Sequence, residues 1–213
     1  MKKALAVLAL VLFAFSSAAQ TAKPPVFSAI ADFSTTANPN GAWWYGWSHT
    51  QGSAFMPFIL YGLTCCTGEE GWFGPVGSDP GYPLVVHDVE PPNVALEMAG
   101  GPDDEFAIVR WTAPSASTYH IVGVFYGFGS TLSDVHVLRG RFPLFDGSVA
   151  GLSTANFNLT AFFRAGATLD FAVHVTPQNF VNGGAACSIN NSGVIVGNYS
   201  TYIVHGFLAT PMP

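Results

Sequence analysis

Residues 106–128, FAIVRWTAPSASTYHIVGVFYGF, admit few folds. Phe106, Ile108 and Arg110 alternate with Ala107, Val109 and Trp111. Beyond Thr112-Ala113-Pro114-Ser115-Ala116-Ser117, Tyr119, Ile121, Gly123 and Phe125 alternate with His120, Val122, Val124 and Tyr126. Period-two alternation rich in β-branched and aromatic residues is the signature of strands, and the proline-bearing link is their punctuation. The pattern predicts a β-hairpin whose second strand is apolar on both faces and so must be covered on both sides, as inside a sandwich.

The rest of the chain agrees with an all-β fold. Only 9% of the 213 residues are charged, and there are 23 glycines and 15 prolines. An average soluble domain carries roughly 25% charge. Long amphipathic stretches of helical period are absent, so many strands and turns in one domain are expected, with room for a second only if it is small. Further strands are predicted over 55–60, 84–87 and 94–98.

The N-terminus reads as an address. Lys2 and Lys3 precede an apolar run, Ala4 to Phe15, too short to span a bilayer comfortably, and Ser17-Ala18-Ala19 offers small residues for cleavage before Gln20. Residues 1–19 are therefore expected to be a signal peptide, 20–31 a linker, 32–187 a β-sandwich domain and 188–213 a C-terminal hairpin. Export puts the mature chain in the periplasm or outside the cell, with no membrane insertion. The formal net charge is −6, and Arg110, Arg139, Arg141 and Arg164 are scattered along the sequence, which argues against nucleic acid as a partner.

Asn38-Pro39-Asn40-Gly41 is a dense turn signal ahead of Ala42-Trp43-Trp44-Tyr45-Gly46-Trp47-Ser48. As a strand this puts Trp43, Tyr45 and Trp47 on one face and Trp44, Gly46 and Ser48 on the other. The first three either fill the core or form a stacking platform for sugar rings. Trp44, with small neighbours on its face, is the better candidate for exposure. Trp44, Trp72 and Phe73 are the candidate ligand contacts, since an aromatic face offers apolar surface to the C–H groups of a pyranose.

Chemistry leaves weaker marks. There is no G-x-S-x-G elbow, H-E-x-x-H pair or phosphate-binding glycine loop. No catalytic residue is assigned, although Asp134 with Asp146, or Glu97 with Asp170, are conceivable carboxylate pairs. Of the six histidines, His120, His136 and His174 lie on predicted strands and could converge. Asp103, Asp104 and Glu105 could hold a structural calcium ion with nearby carbonyl oxygens; no other cofactor is expected. In an exported chain Cys187 is expected to pair with Cys65 or Cys66, because adjacent cysteines rarely bridge each other.

Two segments carry a family resemblance. NPNGAWWYGWS and AIVRWTAPSASTYHIVGVFYG resemble a family of secreted bacterial β-sandwich modules in which NPNG-x-W-x-YG precedes an x-VRWTAP segment. Ser133 to Leu138, Leu144 to Gly147 and Ala167 to Val173 match its later pieces, so the likeness covers roughly residues 32–175. It implies an antiparallel β-sandwich of jelly-roll type, like that of many carbohydrate-binding modules. The chain departs from the pattern at Trp44, where the family has a small residue, at Arg139-Gly140-Arg141, where it has Asn-Gly, and at Ser117, where it has glycine. Ser188 to Tyr199 with His205 to Leu208 is similar to one copy of an extracellular INN-x-G…HGFL repeat. The repeat implies pairing of Val194 to Val196 with Ile203 to Leu208, and either closes the sandwich or marks the edge of a longer gene. The function these readings suggest is a non-catalytic binding module for extracellular carbohydrate. A structural or adhesive surface protein without a small ligand is the alternative, and a glycoside hydrolase comes third.

Overall fold

The computed structural model describes residues 25–63, 70–74, 83–88, 95–101, 103–127, 132–175, 187–190 and 205–211. Within them the chain forms fifteen strands and no helix, and none of the described residues makes a helix long and apolar enough to cross a membrane. Every described strand pairing is antiparallel. The fold is an antiparallel β-sandwich of jelly-roll type.

One layer has six strands: β2 (Trp43–Ser48), β3 (Met56–Pro57), β8 (Phe106–Thr112), β10 (Ser133–Arg139), β11 (Phe142–Val149) and β13 (Thr168–Val175), in the order β11-β10-β13-β8-β2-β3. The other has nine: β1 (Phe27–Ser28), β4 (Leu60–Leu63), β5 (Glu70–Phe73), β6 (Leu84–Asp88), β7 (Ala95–Ala99), β9 (Ser117–Gly127), β12 (Thr154–Phe163), β14 (Cys187–Asn190) and β15 (His205–Pro211). β12 lies along one side of β9, while β14 and β15 share the other.

The expected hairpin over 106–128 does not exist. β8 belongs to the six-stranded sheet and β9 to the nine-stranded one, so Ala113 to Ala116 carries the chain from one layer to the other. The corner is filled by aromatic rings: Trp111 meets Tyr119 edge-on at 4.7 Å and Phe163 at 5.6 Å. Such contacts add about 0.5–1.5 kcal/mol each beyond the area they bury. The strand covered on both faces is also the other one. β8 is buried along both sides, whereas β9 buries Tyr119, Ile121 and Phe125 but leaves His120, Val122 and Val124 half-exposed.

The core lies between the layers. Trp43, Tyr45, Val109, Trp111, Val135, Val137, Leu169 and Phe171 face Trp72, Val85, Leu96, Met98, Tyr119, Ile121, Phe125 and Phe157. The NPNG segment turns out to be part of this scaffold. The Asn38 side chain accepts from the Tyr45 N–H and donates to the carbonyls of Tyr45 and Phe58, standing in for a strand residue beside β2. Asn40 donates to the Asp32 carbonyl, and the Asp32 carboxylate in turn accepts from the Trp43 indole and the Ser28 N–H. Polar groups taken from water are thereby paired, as burial demands.

The two ends of the described chain meet in one sheet. Phe27 and Ser28 pair with Ala209 and Leu208, and Ala29 and Ile30 are buried, so the domain begins within the predicted linker. β15 lies between β1 and β9, and β14 joins β7, which places the described C-terminal strands inside the nine-stranded sheet. Residues 1–19, Cys65, Cys66 and Val194 to Ile203 lie outside the described residues. So do the expected leader, the disulfide and the hairpin pairing that fall on them.

Candidate functional site

The outer face of the six-stranded sheet gathers most of the polar chemistry. Strand register sets its rows: Trp44, Arg110, Asp170 and Leu138 form one, and Gly46, Ile108, Ala172, His136 and Asp146 the next. Phe106, His174, Asp134 and Ser148 follow. At the ~4.8 Å spacing of strands, the middle row spans about 19 Å from β2 to β11.

Gly46 makes room for a cover. A side chain there would run into the Met56 carbonyl and the Phe55 ring, so its absence lets Phe55 fold down onto the sheet. The ring of Phe55 packs with Phe106, Ile108, Leu138 and Ala172, and the Arg110 guanidinium carbon lies 4.0 Å from its centre. Arg110 also donates to both carboxylate oxygens of Asp170, at 2.6 and 2.7 Å. Burial pushes the Asp170 carboxyl above the ordinary carboxylate range, and Arg110 pulls it partly back. The charge pair is the lone cation of β8 and the lone carboxylate of β13, each placed where only the other could neutralise it.

Farther along the face, Phe106 stacks on His174 at 4.8 Å and tilts against His136 at 5.7 Å. His136 Nδ1 lies 2.7 Å from Asp146, and the Gln51 amide reaches both, at 3.2 and 3.4 Å. His174 faces Asp104 at 3.5 Å through Nε2 and Asp134 at 3.9 Å through Nδ1. The two carboxylates approach different nitrogens, so they do not converge on one point.

Several candidates named from sequence find other roles. Trp72 is buried, its indole N–H donating to the Ser34 carbonyl at 2.7 Å, and Tyr45 stacks parallel to it. Phe73 is buried with Leu84, Val86 and Ala99. Neither ring is presented to solvent: Trp72 enters the core between the layers, and Phe73, on the opposite face of β5, is covered by its own small cluster. Trp43 and Tyr45 are core residues, and Trp47 packs partly against the same core. Trp44 stands on the outer face, half-buried, directly opposite Arg110.

The three strand histidines do not converge. His120 sits on the nine-stranded sheet beside Asn158, at 2.7 Å, while His136 and His174 share the outer face of the other layer. Glu97 and Asp170 belong to different sheets, which separates that carboxylate pair. Asp134 and Asp146 share a face, each toward a different imidazole. Asp103 and Asp104 are exposed, Glu105 turns back to accept from the Asp103 N–H, and Asp104 points to His174. The Glu105 and Asp104 carboxylates of the expected calcium site thus turn to different partners. Among the described residues no three His, Cys, Asp or Glu side chains gather as a metal set.

The residues missed from sequence are Phe55, Gln51 and the Arg110–Asp170 pair. A lone charge inside each of two apolar strands was the available signal for the pair. For Phe55 it was a glycine inside an aromatic strand, the mark of a close approach.

No protein-family model and no curated protein matches the chain, so the motif resemblances stand without a matching model. Solved structures do align with it. A family 35 carbohydrate-binding module from Clostridium thermocellum is 6% identical, with 65% of this chain and 85% of that chain covered and a TM-score of 0.30. A β-(1,4)-mannanase from Podospora anserina is 11% identical, with 79% and 28% covered and a TM-score of 0.29. A family 29 carbohydrate-binding module is 9% identical, with 78% and 92% covered and a TM-score of 0.23. This chain spans about a quarter of the mannanase.

Proposed function

We propose that this chain is an exported, non-catalytic module that binds extracellular polysaccharide on the outer face of its six-stranded sheet. The observation that carries the reading is Trp44. It sits next to Trp43 in sequence, yet it is turned away from the core onto a face that also offers Gln51 and Asp146 as exposed hydrogen-bonding groups. Trp44 adjoins the partly open Arg110 guanidinium on that face, so an apolar ring that attracts the C–H face of a sugar stands beside a charged donor that can orient its hydroxyls. On this face two carboxylates are already engaged, Asp170 by Arg110 and Asp146 by His136, which favours binding over hydrolysis.

The test is retention of the chain on a panel of neutral and acidic polysaccharides, with Trp44→Ala beside it. Retention on one class that disappears in a Trp44→Ala variant of unchanged thermal midpoint supports the reading. Silence across the panel from a folded protein ends it and leaves the structural or adhesive alternative.

A further inference from the structure

We propose that one end of the sandwich, where the β10–β11 turn meets the end of β12, is a binding site for the charged groups of an acidic polysaccharide. The proposal rests on the polysaccharide reading above and adds the charge class of the ligand.

Although the arginines are dispersed in sequence, the fold collects three of them. Arg139 closes β10, and Arg141 lies in the turn that Gly140 makes possible with its φ of +62°. Arg164 directly follows β12. The Arg139 guanidinium carbon lies 5.2 Å from the centre of the Phe163 ring, which brings the β10 end against the residue preceding Arg164. All three arginines are exposed. Arg110, the other described arginine, is tied to Asp170, and among the described residues no carboxylate pairs with Arg139, Arg141 or Arg164.

Two exposed carboxylates, Asp104 and Asp134, lie toward the opposite end, while Asp146, partway along β11, is held by His136. Asp134, the second residue of β10, and Asp104 both lie beside the His174 imidazole. Five residue steps along β10 separate Asp134 from Arg139 by about 17 Å. That exceeds the Debye length of ~8 Å at physiological salt, so the positive end is felt locally even in a chain of net charge −6.

The neighbours of the arginines decide the ligand class. Phe142, 76% exposed, follows Arg141, and Phe162, 51% exposed, lies two residues before Arg164. Arginine forks hold planar carboxylates and sulfates through paired hydrogen bonds, and exposed rings hold the C–H faces of sugars. A uronate or sulfated chain presents both, at intervals of one sugar. A nucleic-acid duplex carries a charge about every 1.7 Å and would run from this small cluster onto the acidic remainder of the surface.

The experiment measures retention of the full chain on polygalacturonate, dextran sulfate, polyphosphate and a neutral glucomannan, at low salt and at about 0.2 M. The variants are Arg139→Gln/Arg141→Gln/Arg164→Gln and, to spare the Phe163 contact, Arg141→Gln/Arg164→Gln. The expected result is retention on polygalacturonate or dextran sulfate that falls about ten-fold with added salt and about ten-fold in either variant, at unchanged thermal midpoint. The carboxylate and sulfate arms identify which anion is read. Acidic chains held no better than glucomannan, arginine variants that bind as before, or polyphosphate held as tightly as the sugars would each overturn the proposal. Retention on glucomannan alone, lost with Trp44→Ala, would sink this inference and keep the broader reading. Retention on none of them would sink both.

Discussion

The two faces of the six-stranded sheet are built from the same strands and obey different rules. Its inner face carries Trp43, Tyr45, Val109, Trp111, Phe171 and Val173, and the polar atoms that enter are few. Its outer face carries Arg110, His136, Asp170 and His174, with Phe55 laid over part of it. Trp43 and Trp44 show the contrast within one peptide unit. Trp43 is buried with its N–H donated to Asp32, while Trp44 keeps part of its ring open opposite Arg110. Burial on both faces of a strand is therefore not evidence for one core. The inner face excludes water through packed rings, the outer through a folded-back loop over paired charges.

The largest effects test this contrast directly. Trp43→Ala and Trp72→Ala each remove a buried ring and its hydrogen bond, and each is expected to cost about 3–5 kcal/mol in urea unfolding. Trp44→Ala should cost less, about 1–2 kcal/mol, because part of its surface is already in water. Equal losses at positions 43 and 44 would make the two faces a single core and remove the basis for a ligand surface.

The outer face breaks at its charge pair. Arg110→Met leaves the Asp170 carboxylate buried without its cation and is expected to cost about 3 kcal/mol at neutral pH, whereas Arg110→Met/Asp170→Leu should recover most of that. The loss should depend on pH. A carboxyl whose folded pKa lies above its unfolded value binds its proton more tightly when folded, so its ionisation lowers stability as pH rises through the ordinary carboxylate range and beyond. Asp170 is such a group, raised by burial and held back by Arg110. Removing Arg110 carries the penalty higher, so the variant should lie nearer the parent below about pH 4 than at pH 7. Urea midpoints at the two pH values decide it, and a destabilisation independent of pH would show that the pair acts through packing alone.

These pairings also mark how far the sequence could be read. Alternation placed Trp43, Tyr45 and Trp47 on one face and Trp44 on the other, because the side-chain period of a strand is a local property. The same alternation gave β8 and β9 but not their relation. Two strands joined by a short proline-containing link read as a hairpin, and only the ring packing of Trp111, Tyr119 and Phe163 turns the chain into the second layer. Trp72 and Phe73 fell outside the predicted strands and read as ligand contacts because their strand is four residues long, EGWF, and too short to show a period. The clustering of Arg139, Arg141 and Arg164 depends on where β10 and β12 end in space, which no spacing in sequence encodes.

The smallest effects separate the two ways in which the loop after β2 is held on the outer face. Gln51 reaches His136 and Asp146 through exposed contacts of 3.2 and 3.4 Å, in competition with water. Phe55 packs on Ile108, Leu138 and Ala172 over the space left by Gly46 and takes the Arg110 guanidinium on its ring. Phe55→Ala is therefore expected to cost about 2 kcal/mol, through lost burial and a more hydrated ion pair. Gln51→Ala should cost about 0.5 kcal/mol, the low end for a hydrogen bond already open to solvent. If the order were reversed, the loop would be a polar latch over a weakly packed face, and the distinction between a covered centre and an open Trp44 edge would fail. The expected order makes Phe55 the fixed floor beside which Trp44 stands.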